Sequence, residues 1–258
     1  LNIPSVDVFK VQNNDLKIDV SVEAKDVCPR YSATSIKDVK VGPSPAWLQK
    51  RLRAIGLSPI NNIVDATNFV MHELGTPLHA FDASKLNGKL VVKTANKGDK
   101  FVTLDEVERK LDDSNLMITN GKDHLCIAGV FGGRDSGIKD STTNVFLESA
   151  YFNPVSVRKT AKMHGLNTDA SFRFERGVDP NLTLYALKRT ALLIQEIAGG
   201  TIAMDVVDTN VLPIANWTVE FNFDRCNRLI GTAIPKEMVK SIFSNLDIKI
   251  VSENGDDA

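Results

Sequence analysis

Asn61-Asn62-Ile63-Val64-Asp65-Ala66-Thr67-Asn68-Phe69-Val70-Met71-His72-Glu73-Leu74-Gly75-Thr76-Pro77-Leu78-His79-Ala80-Phe81-Asp82 holds a helix, its stop and a rigid loop in one run. Ile63, Thr67, Val70 and Leu74 recur at helical spacing on one face, while Asn61, Asp65, Asn68 and His72 fall on another. Gly75 is placed to close the helix. Pro77 keeps Thr76 out of helical backbone, so Thr76 to Asp82 is expected as a fixed loop. His72-Glu73 does not continue into a zinc motif. That motif needs a second histidine one turn on, where this chain has Thr76 after the helix has stopped.

Upstream, Leu16 to Val22 alternates as a half-buried strand does, and Tyr31 to Ile36 is a second candidate strand. Ser44 and Pro45 fit the cap and first position of a helix that carries Trp47, Leu48, Leu52 and Ile55 inward until Gly56. Downstream, Leu90–Lys93, Lys100–Leu104, Leu116–Thr119, His124–Val130 and Asn144–Ser149 are short apolar runs. Asn87-Gly88, Asn120-Gly121 and Gly132-Gly133 punctuate them as turns. Helices are expected from Asn153-Pro154 to about His164 and from Asn181 to Ala198, followed by a strand over Thr201 to Val207. The class is therefore α+β, with mixed or antiparallel sheets and several packed helices rather than a regular βαβ array. Leu212-Pro213-Ile214-Ala215-Asn216 reads as a linker between a domain of residues 1–212 and a small α/β module, residues 213–258. That module is expected to hold a strand over Trp217–Phe223, a helix from about Pro235 to Leu246 and a strand over Ile248–Val251. The first residue, Leu1, and the polar run Glu253-Asn254-Gly255-Asp256-Asp257-Ala258 lead us to expect that the module is truncated and the chain a piece of a longer one.

The 258 residues are 43% hydrophobic and 24% charged, which is globular composition, and the length suffices for a full core without disulfide or metal staples. A formal net charge of -1 is not that of a dedicated nucleic-acid binder, so RNA contact would rest on a local patch or on a larger assembly. Cys28, Cys126 and Cys226 are odd in number and far apart, which argues for reduced thiols in a cytoplasm. The sequence shows no apolar run of membrane-spanning length and no signal peptide.

The chain has no G-x-S-x-G elbow and no phosphate-binding G-x-x-x-x-G-K-[ST] loop. Gly129-Val130-Phe131-Gly132-Gly133 is either a tight reversal or a backbone surface that a ligand can approach closely. Glu148 lies in Val145-Phe146-Leu147-Glu148-Ser149-Ala150, where an acid is at an exposed edge or buried for a purpose. His79, between Leu78 and Ala80, is either a satisfied structural residue or a catalyst. Arg173, Glu175, Arg176 and Asp179 around Phe172 and Phe174 read as a strand with aromatics in and ion pairs out, or as a basic edge for a phosphate.

The run 61–70 with Glu73 to Asp82 closely resembles a signature of the phenylalanyl-tRNA synthetase beta subunit, bacterial type. So do Ile127-Ala128-Gly129-Val130-Phe131-Gly132-Gly133, Leu147-Glu148-Ser149-Ala150, Thr168-Asp169-Ala170-Ser171 and Phe172 to Pro180. These blocks keep the family's order over nearly the whole chain. By this resemblance, residues up to the linker correspond to the third and fourth modules, which form the family's editing domain, and the remainder to the start of the fifth. The function implied is hydrolysis of tyrosine misattached to tRNA(Phe), in support of aminoacylation by the whole enzyme; the alternative is a non-catalytic module for tRNA docking or subunit contact.

The resemblance also assigns site residues. Glu148 matches the acid that recognises the phenol, Gly129 and Gly132 the glycines of the pocket, and Thr168 and Ala170 the small residues of its wall. Asn68 and His79 match polar residues near the scissile ester, where they would orient water and stabilise charge on the carbonyl. His72, Thr76 and Ser149 depart from what relatives often carry. The implied partners are tRNA(Phe) and a synthetase alpha subunit, in a heterotetramer of two alpha and two beta chains. The whole enzyme would use ATP and Mg; no cofactor and no metal is expected in this piece, and it is not expected to aminoacylate alone.

Overall fold

The computed structural model describes residues 3–210 and 215–254. The chain divides into two compact units, Leu1–Pro213 and Ile214–Ala258. Leu212 to Ile214 of the expected linker lie outside the described residues, as do Leu1 and residues 255–258 of the tail.

The first unit is built around two five-stranded sheets. In one, β2 (Arg30–Lys37) and β10 (Val145–Tyr151) form the middle, β3 (Leu78–Asp82) flanks β10, and β11 (Thr201–Ile202) and β12 (Val207–Asn210) both pair β2. All these pairings are antiparallel. The other sheet runs in the order β1 (Asp19–Val22), β4 (Lys89–Thr94), β7 (Leu116–Thr119), β8 (His124–Ile127), β9 (Phe131–Gly132). Its first pair is parallel and the rest antiparallel. A small hairpin, β5 (Lys100–Val102) with β6 (Glu108–Lys110), completes the strands. The mixed and antiparallel sheets with separate helices are the α+β architecture expected.

β10 is buried from Val145 through Ala150, because each face meets a different core. On one face Phe146 and Ala150 join Tyr31, Ala33 and Phe81 in a cluster shared with the second sheet. On the other, Val145 and Leu147 join Ile36, Ala80 and apolar residues of two helices. Those helices are α2 (Asn62–Leu74), contributing Ile63, Ala66 and Val70, and α5 (Thr183–Ala198), contributing Ala186, Leu187, Ala191 and Ile194. Each fully buried large side chain contributes about 1.5–3 kcal/mol, so these two clusters dominate the unit's stability.

Asn61 caps α2 by accepting from the backbone N–H of Ile63 (3.1 Å) and Val64 (2.9 Å), and Gly75 at φ 75° ends it. The residues after Pro77 are not a loop: Leu78–Asp82 is β3, held by its register to β10. Asp65, expected on the polar face of α2, is fully buried. It accepts from Ser44 Oγ (2.5 Å) and from the N–H of Ile60 (2.8 Å). Ser44 is thus bound to α2, and α1 (Ala46–Ala54) begins after Pro45 without a side-chain cap. Leu48 and Leu52 of α1 are buried, but Trp47 and Ile55, expected inward, are exposed.

The basic-aromatic run is helical. Thr168 and Ser171 form a reciprocal capping box that starts α4 (Asp169–Phe174), which follows α3 (Pro154–His164). Two residues apart on a helix, the aromatics diverge: Phe174 is buried, while Phe172 is exposed under the Arg176 guanidinium, 3.6 Å from its ring centre.

In the second unit Phe221 packs against Phe223 and Phe243, which joins α6 (Phe223–Ile230) to α7 (Lys236–Asn245). The helix expected near Pro235 is α7; α6 was not expected. The strands expected at Trp217–Phe223 and Ile248–Val251 are absent from the described residues. Trp217 is 95% exposed, and among the described residues no strand ladder runs along its stretch.

Candidate active site

A cavity of about 380 Å³ opens between α2, the sheet of β3 and β10, the β8–β9 turn and the start of α4. Asn68, His79, Gly129, Gly132, Glu148, Thr168 and Ala170 all line it. They come from five separate places in the chain, so the assembly is a product of the tertiary fold. Val64, Met71, Leu104, Val130, Phe131 and Phe174 supply much of the remaining wall.

Glu148 is 5% exposed. Register alone puts it beside His79 on β3 and Ala33 on β2, so these three side chains share one face. Tyr31, two residues from Ala33, reaches Glu148 diagonally and donates its hydroxyl to Oε2 at 2.6 Å. Among the described residues, no cation stands beside the acid. Burial pushes its pKa up to about 7, against a smaller lowering by the Tyr31 hydrogen bond. The Cys28 and Cys126 thiols and the Tyr31 phenol are all pushed up, first by burial and then by the Glu148 charge, so each stays neutral. Tyr31 and Cys126 belong to this site and were not singled out in the sequence. Both sit in candidate strands, where the alternation pattern assigns them to core.

His79 turns part of its ring to the cavity, in edge-on contact with Phe81 at 4.4 Å between centres. Its Nε2 is buried with no hydrogen-bond partner. Desolvation lowers its pKa to about 4, so the ring is neutral over the physiological range. An unpartnered ring nitrogen at a cavity wall is available to a ligand or a water. Asn68 is half-buried on the flank of α2 that faces the cavity, beside Val64 and Met71.

The two pocket glycines differ. At Gly132 an added Cβ would lie 3.0 Å from Leu104 Cδ1 and 3.3 Å from His79 Cε1, in space that belongs to the cavity wall. At Gly129, with φ 69°, it would meet Phe152, Phe174 and Val157 at 2.9, 3.0 and 3.2 Å, all of them buried core side chains. Gly129 therefore serves the reversal between β8 and β9 and the core beneath it, rather than keeping bulk out of the cavity. Gly132-Gly133 is not the turn expected: Gly132 ends β9, and at Gly133 an added Cβ would lie 2.5 Å from Leu125 O, so no side chain fits there. Thr168 spends its hydroxyl on structure, donating to Val130 O at 2.9 Å and accepting from Ser171 N at 3.0 Å. That pins the start of α4 to the β8–β9 turn and so fixes the wall to which Ala170 belongs.

A second, larger cavity of about 630 Å³ near His124 and Arg134 holds none of the seven residues. Among the described residues, no group of three His, Cys, Asp or Glu is placed to hold a metal, and no helix is long and apolar enough to cross a membrane.

The B3/4 domain family model matches residues 27–199. The phenylalanine–tRNA ligase beta subunit of Bacteroides fragilis (strain YCH46) is 54% identical over 257 residues, which is 99% of this chain and 31% of that protein. The beta subunit of Porphyromonas gingivalis (strain W83) is 52% identical, covering 93% and 29%, and that of Geobacter metallireducens 47% identical, covering 91% and 29%. The chain thus spans about a third of the length of these relatives. A solved N-terminal fragment of the phenylalanyl-tRNA synthetase beta subunit from Pyrococcus horikoshii has the same fold, with a TM-score of 0.50 at 14% identity over 97% of this chain and 69% of that one. The chain belongs to the B3/4 domain family, and along its length it is similar to the segment of phenylalanine–tRNA ligase beta subunits that carries this domain.

Proposed function

We propose that this chain is the editing part of a phenylalanine–tRNA ligase beta subunit and hydrolyses tyrosine misattached to tRNA(Phe). One observation carries the proposal: Glu148 lies buried in a largely apolar cavity with one carboxylate oxygen engaged by Tyr31 and, among the described residues, no cation beside it. The second oxygen is then free for one more hydroxyl. An apolar pocket made for phenylalanine rejects an analogue with an added hydroxyl only about a hundredfold, so a separate site must select tyrosine. Here the phenol of tyrosine donates to Glu148 in a charge-assisted bond. Phenylalanine would bury the second oxygen of the same acid without a donor, at a cost of about 1–3 kcal/mol, which is roughly ten- to a hundredfold in selection.

Asn68 and His79 then act on the ester end. A ring with a pKa of about 4 is a poor base at neutral pH, where a group near 7 is best matched to the task. His79 accordingly orients the attacking water through Nε2, with the Asn68 amide as a second polar contact, and positioning suffices for an activated ester. Aminoacylation with ATP and Mg belongs, in this reading, to an alpha subunit that assembles with the beta chain, two of each, in the cytoplasm.

The test is release of tyrosine from tyrosyl-tRNA(Phe) by the whole ligase with and without Glu148→Ala. Loss of hydrolysis is expected. Unchanged release would reject the reading and leave the cavity to a non-catalytic role in tRNA docking or subunit contact.

A further inference from the structure

Among the described residues, Tyr31 is the one group that holds the Glu148 carboxylate. Tyr31 is fully buried, and its strand is paired on both sides, to Ala150 of β10 and to Thr209 of β12. The backbone that carries its ring is therefore fixed from both sides. Its hydroxyl bonds one carboxylate oxygen at 2.6 Å and has no other acceptor among the described residues. The other titratable groups around the acid are Cys28, Cys126 and His79, and none of them carries positive charge.

We propose that Tyr31 is the positioning residue for selectivity at this site: its phenol fixes Oε2 of Glu148 so that Oε1 alone meets the incoming hydroxyl. The inference rests on the editing reading above. A carboxylate without this anchor could rotate about its terminal torsions, which are broad, and the directional preference for a phenol would weaken. The anchor also stabilises the charged form of the acid, since a hydrogen bond to a carboxylate favours ionisation. Tyrosine preference therefore depends on pH through Glu148, and Tyr31 sets where that dependence falls. The native protein thus already shows Glu148 accepting one tyrosine hydroxyl, and the substrate supplies a second of the same chemistry.

The experiment uses the whole ligase with its partner subunit and measures kcat and KM for tyrosyl- and phenylalanyl-tRNA(Phe) hydrolysis from pH 5.5 to 8.5. Tyr31→Phe keeps the buried ring and removes only the hydroxyl. The expected result is about a tenfold or greater loss in kcat/KM for the tyrosyl ester, carried mainly by KM, with the phenylalanyl ester unchanged. The pH midpoint of tyrosine preference should move upward from that of wild type, because the lost hydrogen bond no longer favours the charged acid. A purely structural role would reduce both esters alike and leave the midpoint in place, and either that result or wild-type selectivity overturns the inference.

Should Tyr31→Phe fail to fold, 2,3-difluorotyrosine at position 31 keeps the ring and makes the phenol a stronger donor. The midpoint should then fall, and an unmoved midpoint counts against the anchor. Glu148→Gln separates the two levels. If it hydrolyses the tyrosyl ester as wild type does, the editing reading fails; if it loses selectivity while Tyr31→Phe retains it, only the Tyr31 inference fails.

Discussion

Replacing Gly129 and Gly132 by alanine, one at a time, should separate two glycines that the sequence presents as equivalent. At position 129 the new methyl would sit 2.9 Å from Phe152, 3.0 Å from Phe174 and 3.2 Å from Val157, none of which can retreat because all three are core. The backbone there is at φ 69°, where a Cβ costs roughly 1–2 kcal/mol. Overpacking of a filled core adds about 1–3 kcal/mol. Together these predict a loss of about 2–5 kcal/mol for Gly129→Ala. At position 132 the backbone carries no such strain, and the nearest atom is the tip of Leu104, a side chain that is half exposed and can shift. Gly132→Ala should stay within about 1 kcal/mol of wild type. Its effect belongs to the cavity: a methyl beside His79 Cε1 takes space from the substrate ring, so KM for tyrosyl-tRNA(Phe) should rise, and Gly132→Val should raise it further. Urea denaturation of this chain followed by circular dichroism gives the first quantity, and deacylation by the whole ligase the second. A Gly129→Ala protein as stable as wild type, or a Gly132→Ala protein that unfolds easily yet keeps its KM, would refute the reasoning.

Glu148→Gln should stabilise the fold at neutral pH relative to acid. Burial raises the acid from 4.5 to about 7, so between those values the native chain holds a proton that the unfolded chain has lost, and stability falls as pH rises. Removing the acid should gain up to about 3 kcal/mol on wild type across that window, read from urea midpoints at a series of pH values. His79→Gln should show the opposite slope. The ring's pKa drops from 6.5 to about 4 in the fold, so wild type loses stability as pH falls through that range, and the variant should lose up to about 3 kcal/mol less. Asp65→Asn places an amide where Ser44 and the Ile60 N–H both donate, and should cost about 1–3 kcal/mol, lowering the melting temperature by several degrees.

Short-range chemistry was legible. Asn61 before α2, Gly75 after it, Asn153-Pro154 before α3 and Gly165 after it are caps that act within a few residues, and they stand where the sequence put them. The strands around Leu90, Leu116, His124 and Val145 were legible for the same reason, since period and turn chemistry are local. The family blocks also named seven residues that meet at one cavity. What pairing decides was not legible. Leu78–Asp82 became a strand because β10 offered its edge, whereas Trp217 joins no strand among the described residues and is exposed. Thr168 and Ser171 bonded each other and turned an apparent strand pattern into α4.

Within the site, the sequence by itself determined which residue types would be present: an acid in an apolar run, a histidine after a proline, glycines in a cluster. Only the tertiary structure decided that Glu148 stands opposite His79, that Tyr31 occupies one of its oxygens, and that Gly132 faces the cavity while Gly129 faces the core. The physical reason is that a side chain's partner and its solvation are set by strands and helices far away in sequence. Register brings residues 31, 79 and 148 to one face, and exclusion of water there shifts their protonation.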